Sequence, residues 1–189
     1  HQAQAIYLAI TYRIEGSPII KQLIRDLIAR QNSDGGWSSL ENEKSSCYWS
    51  SLFFLWTLGQ SENFRDNRAI KKGLKYIQAK VLLDGESQLL PGMLVWDTLI
   101  SGTSGLSIIS GGTLRYLETI KLIDGQNKER KTHKLLDWLI DAQLKTGLWP
   151  SIVSRDRQGD FGVTLRVLNV LKHFQTQRVK ETLKYDSDF

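Results

Sequence analysis

The apolar positions along the chain recur with the period of an α-helix nearly everywhere, and no stretch alternates cleanly enough to predict a β-strand. This spacing predicts helices at residues 2–14, 18–31, 46–59, 66–80, 94–108, 112–123, 130–144 and 161–175. Glycines punctuate the gaps as helix breakers or C-terminal caps: Gly16, Gly59, Gly125 and Gly159. The pattern therefore predicts an all-α protein.

Two kinds of helix follow one another along the chain. Charged helices with one apolar face, at residues 19–30 and 132–142, alternate with helices that are more apolar and poorer in charge, at residues 47–58, from 95–100 onward and at 161–171. Equivalent positions of the more apolar helices carry similar side chains: Ser51, Thr98 and Thr164, and also Trp49 and Trp96. This arrangement predicts an outer layer of amphipathic helices around an inner layer of apolar ones, in a curved stack of α-hairpins.

A spaced signature closes both charged helices: a Gln, three residues, a Gly, one residue and a Trp. It is formed by Gln31, Gly35 and Trp37, and again by Gln143, Gly147 and Trp149. Residues 81–87 are a third, degenerate copy, which keeps an Asp-Gly pair but has lost the Gln and the Trp. An internal repeat of this kind predicts a stacked helical architecture.

Each residue type in the signature has a physical role. Glycine supplies backbone freedom just past a helix end, and the glutamine amide can bond the backbone groups that become free there. The tryptophan can cover this polar contact with a large apolar ring, and its indole N–H needs one acceptor. We therefore expect the signature to join successive hairpins, which is a structural role.

The Gln-x-x-x-Gly-x-Trp segments resemble the QW repeat of squalene-hopene and oxidosqualene cyclases. Residues 95–98, Val-Trp-Asp-Thr, resemble the stretch that opens an inner helix in hopene-type cyclases. The resemblance covers residues 18–175 and implies an α/α-toroid, a fold shared more distantly with protein prenyltransferase β-subunits and complement thioester domains. In such toroids the inner helices line a cavity that receives an isoprenoid chain or its relatives. A closed toroid needs more helices than the pattern predicts, so we expect a half toroid within one domain, residues 1–189.

The catalytic signatures of these families are absent from the sequence. The Asp-x-Asp-Asp motif of class II cyclases does not occur. Cys47 and His133 lack the pattern of the prenyltransferase zinc site, and Cys47 does not lie in the thioester motif Gly-Cys-Gly-Glu-Gln. We therefore expect no metal and no cofactor, and the missing signatures favour a protein without enzymatic activity over a cyclase.

Two groups of residues remain as site candidates. Asp97 begins an apolar helix, where burial would raise the pKa of its carboxyl and suit it to donate a proton; alternatively it caps the helix N-terminus beside Thr98. The inner helices also carry a concentration of aromatic residues: Tyr48, Trp49, Phe53, Trp56 and Trp96. These rings could line an apolar ligand site or stabilise a carbocation, and ordinary core packing is the alternative.

Charge and composition narrow the list of partners. The 189 residues carry a formal net charge of +5, but the basic residues are dispersed over polar helix faces, so we expect no nucleic-acid partner. The longest apolar run, Leu52–Leu58, is too short to span a bilayer. The single cysteine excludes an intrachain disulfide and fits a reducing compartment. We expect a cytoplasmic location, with peripheral membrane association as the alternative.

These observations favour a non-catalytic binding module that holds a peptide, a lipid or a neighbouring domain in its cavity or on its rim. A half toroid also predicts another domain or chain that completes it, because an open stack exposes apolar helix sides at its ends. The alternative is a class II terpene cyclase of the squalene-hopene type, or a fragment of one, that acts on a polyprenyl substrate.

Overall fold

The computed structural model describes residues 2–38, 44–81, 88–90, 93–94, 112–123, 130–150 and 158–186, with the backbone alone at residues 2, 4, 88–90, 93–94 and 176–186. The chain forms two compact units, His1–Leu82 (unit 1) and Leu83–Phe189 (unit 2). The helices are α1 (Gln2–Thr11), α2 (Pro18–Ala29), α3 (Tyr48–Gly59), α4 (Glu62–Arg65), α5 (Arg68–Lys80), α6 (Gly112–Ile123), α7 (Arg130–Asp141) and α8 (Phe161–Asp186). The strands are β1 (Gln88–Leu90), β2 (Met93–Leu94), β3 (Trp149–Pro150) and β4 (Gly159–Asp160). The described chain is therefore mostly helical, which confirms the predicted all-α character.

In unit 1, α1 packs against α2 and α3, and α3 packs against α5. α2 begins at Pro18. An N–H at the first position of a helix has no acceptor within the helix, so proline, which lacks this group, loses no hydrogen bond there. Asn67 caps α5, since its Oδ1 accepts from the backbone N–H of Ala69 at 2.8 Å. α3 is apolar on most sides, and its buried residues include Leu52, Leu55 and Leu58. The core of unit 1 thus forms around α3.

In unit 2, α6 packs against α7 and α8 and is buried along nearly its whole length. The buried guanidinium of Arg115 lies 3.2 Å from the carboxylate of Glu118. Arg166 of α8 donates to both oxygens of that carboxylate, at 2.6 and 2.7 Å. Lys121 donates to Asn169 Oδ1 at 2.8 Å, and burial lowers the pKa of its ammonium group although Glu118 opposes the shift. This charge cluster joins α6 to α8.

Most helix bounds lie close to the predicted ones, and the differences have local causes. α2 ends at Ala29 rather than at residue 31, because the following residues enter the loop that carries the signature glycine. α8 continues to Asp186, past the predicted end at residue 175, since residues 163–186 contain neither Gly nor Pro to stop a helix. The predicted helix 94–108 lies outside the described residues except for Leu94, which belongs to β2.

The short strands are a feature that the hydrophobic period did not predict. β3 and β4 pair antiparallel with Trp149 opposite Asp160, and Trp37 pairs with Cys47 through a single bridge. Pairings this short leave no alternation for the sequence to reveal. In both units the pairing brings the tryptophan of the signature beside the start of the following helix, α3 or α8.

Candidate functional site

The two signature segments, residues 31–37 and 143–149, form tight loops that we name corner 1 and corner 2. Gly35 has φ +94° and Gly147 has φ +82°, a region that residues with a Cβ rarely adopt. A Cβ on Gly35 would also lie 2.7 Å from the carbonyl oxygen of Lys72 in α5, whereas the space around Gly147 is open within 4 Å. Corner 1 therefore requires glycine for two reasons, and corner 2 for one.

Gln31 and Gln143 close the corners with their side-chain amides. Gln31 Nε2 donates to the carbonyl of Gly35, and Gln143 Nε2 donates to the carbonyl of Gly147, both at 2.8 Å. Gln31 Nε2 also donates to the carbonyl of Ala69 in α5, at 2.7 Å. Corner 1 is thereby tied to α5, whereas Gln143 is exposed and bonds only its own corner within the part of the chain that the structure describes.

Trp37 and Trp149 connect each corner to the helix before it. Trp37 Nε1 donates to the carbonyl of Leu27 in α2 at 2.8 Å, and Trp149 Nε1 donates to the carbonyl of Leu139 in α7 at 2.6 Å. Both acceptors lie in the last helical turn, where carbonyls have no intrahelical partner. Both indole rings are buried, so each tryptophan fills the core and satisfies a helix end.

Ser51 and Thr164 connect each corner to the helix after it. Ser51 Oγ accepts from the backbone N–H of Trp37 at 2.8 Å, and Thr164 Oγ1 accepts from that of Trp149 at 2.9 Å. Each hydroxyl donates to a backbone carbonyl in its own first turn at 2.7 Å. The sequence comparison aligned these two residues but did not predict their role in bonding the corners. Their equivalent positions in the two helices were the signal that could have revealed this role.

A second polar cluster, not identified from the sequence, closes corner 1 against α5. Asp34 Oδ1 accepts from the backbone N–H of Gly36 at 3.0 Å and from Ser46 Oγ at 2.6 Å. The hydroxyl of Tyr76 donates to the carbonyl of Ser46 at 3.1 Å. Burial, and then the charges of Asp34 and Cys47, raise the pKa of Tyr76. These bonds hold the loop in place against α5.

The aromatic residues expected to line a ligand site lie half-buried on α3: Tyr48, Trp49, Phe53 and Trp56. Phe53 and Trp56 stack with ring centroids 6.3 Å apart, and Trp56 stacks on Tyr7 of α1 at 4.9 Å. Tyr7 was missed, because no local pattern marks a residue of α1 as a neighbour of α3. Part of the predicted set therefore belongs to a stack shared by two helices.

Several predicted site features fall outside the described residues, namely Trp96, Asp97 and residues 82–87 of the third copy. His133 is half-buried on α7. Within the described ranges, no group of three His, Cys, Asp or Glu side chains is placed to hold a metal ion. None of the described helices has the length and apolar character needed to cross a membrane.

Among the described residues, the two units differ on the helices that follow the corners. Ser51 of α3 and Thr164 of α8 make the same hydrogen bonds, so the two helices can be aligned residue by residue on these two positions. Leu52 and Leu55 of α3 are 1% and 0% exposed, whereas the equivalent Leu165 and Leu168 of α8 are 71% and 51% exposed. Phe161 lies on the same face, one turn earlier, and is 79% exposed. We name these three residues, Phe161, Leu165 and Leu168, the α8 face.

In unit 1 the corresponding surface is covered by α5. A Cβ on Gly73 would lie 2.6 Å from the ring of Trp37 and 2.9 Å from Leu55 Cδ2, so α5 crosses α3 with almost no space between them. In the described part of unit 2, α8 continues to Asp186 without interruption, and no later helix takes the place of α5. The α8 face is therefore the uncovered counterpart of a buried interface.

Comparison of the chain with known proteins gives no match. No family model, no curated protein and no solved structure matches it. Its function is accordingly argued from the corners, the aromatic stack and the α8 face.

Proposed function

We propose that the chain is a non-catalytic interaction module, which holds a partner on the α8 face. The observation that carries the proposal is the contrast between Leu55, buried under α5, and Leu168, exposed at the equivalent position. Three large apolar side chains adjoin one another on one helix face, and contiguous patches of this kind usually mark interaction sites. A partner that covers these side chains buries them as the equivalent leucines of α3 are already buried.

The corners make the face a suitable docking surface. The backbone and side chain of Trp149 bond α8 and α7 respectively, so the helix that carries the patch is held at its first turn. The Arg166–Glu118 pair holds the same helix to α6 two residues further on. A surface fixed in this way loses little conformational freedom when a partner binds.

The chemistry of the sequence also favours binding over catalysis. The Asp-x-Asp-Asp, zinc-site and thioester signatures of the families that the sequence resembles are all absent. A neighbouring domain or a second chain that completes a toroid would be one such partner, and a peptide or a lipid would be another.

The experiment is a titration with the apolar dye 8-anilinonaphthalene-1-sulfonate, with Leu168→Glu as the test variant. We expect the dye to bind the unmodified protein and its fluorescence to fall in the variant, since a carboxylate interrupts the apolar face. Leu8→Glu is the matched control, because Leu8 is 46% exposed on α1 and lies outside the α8 face. Dye fluorescence that is equal in Leu168→Glu and in the unmodified protein would contradict the proposal.

A second candidate function is favoured by the stack of Tyr7, Phe53 and Trp56. Three aligned aromatic rings offer π faces of the kind that stabilise carbocations, as a class II terpene cyclase or a fragment of one would need. Asp97 would be its proton donor and Trp96 would add a further ring. Incubation with polyprenyl substrates, followed by gas chromatography of the extract, tests this function; a cyclic product that disappears in Asp97→Asn would support it.

A further inference from the structure

We draw no further inference here: the strongest candidate, the exposed apolar patch of Tyr12, Ile14 and Ile19 at the turn from α1 to α2, lies outside the α8 face, but nothing in the structure shows what covers it.

Discussion

The substitution Gly73→Ala tests how closely α5 approaches α3. It changes the free energy of unfolding in two opposite ways, through helix propensity and through steric overlap. Replacing a glycine by alanine inside a helix stabilises the helix by about 1 kcal/mol. Against this, the new Cβ would lie 2.6 Å from the Trp37 ring and 2.9 Å from Leu55 Cδ2, both below the 3.0 Å that real Cβ contacts respect. Trp37 is held by its bond to Leu27, and Leu55 is fully buried, so neither can move aside freely.

The size of the clash decides the sign. Overpacking a buried contact typically costs about 1–3 kcal/mol, and we place Gly73→Ala in the upper half of that range because two fixed groups are met at once. After the helix gain is subtracted, the variant should lose about 1–2 kcal/mol of unfolding free energy. Overlap therefore outweighs helix propensity at this position.

The assay is equilibrium urea unfolding followed by far-UV circular dichroism, combined with hydrogen exchange. Exchange should accelerate in residues 48–80 of unit 1 and stay unchanged in residues 161–175 of unit 2. Gly162→Ala in α8 is the control, since its Cβ would meet only Asp160 Oδ1, at 3.1 Å, so helix propensity should dominate there. If Gly73→Ala instead stabilises the protein by about 1 kcal/mol, the gain expected from helix propensity alone, α5 does not pack on α3 as closely as described.

The remaining predictions concern polar contacts. Gln31→Ala should lower the unfolding free energy by about 1–2 kcal/mol for two lost hydrogen bonds, and Gln143→Ala by less than about 0.5 kcal/mol because its one bond is exposed; equal losses in urea unfolding would contradict the described tie to α5. Burial raises the pKa of Tyr76, so its hydroxyl holds its proton more tightly in the folded state than in the unfolded state. The contribution of Tyr76 to the free energy of unfolding is therefore complete below the unfolded pKa of 10.0, and it is lost as the pH rises through the folded pKa. Tyr76→Phe should therefore show a smaller loss of stability above that pH, and an unchanged alkaline profile would refute the assignment. Glu118→Gln removes the carboxylate between two arginines, and we expect a loss of about 3 kcal/mol, which a thermal unfolding curve superimposable on that of the unmodified protein would exclude.

The repeated bonds explain why two distant segments of the chain fold alike. In each corner a left-handed glycine turns the chain, a glutamine closes the loop and a tryptophan joins the preceding helix to the following one. Each bond that the two corners share joins residues no more than 15 positions apart. Corner 1 is in addition tied to α5 by the bond from Gln31 to Ala69, so the two units differ in what is packed on the corner.

The sequence alone determined the helical class and the residues of the corners. The helical period, the Gly35 and Gly147 positions and the shared register of Ser51 and Thr164 are local properties, because they depend on residues a few positions apart. The short strands escaped this reasoning because they are only two or three residues long, and the end of α8 escaped it because no breaker marks where that helix stops.

Only the tertiary structure decided which apolar residues are covered. Leu55 and Leu168 are the same residue type at the same register of the helices that follow the two corners, although Leu168 has the polar neighbours Arg166 and Asn169. One is buried because α5 returns across it with a glycine at the crossing, and the other is exposed because α8 continues without a turn. Burial depends on neighbours that are distant in sequence, so leucines at equivalent positions belong to a core in unit 1 and to an open face in unit 2.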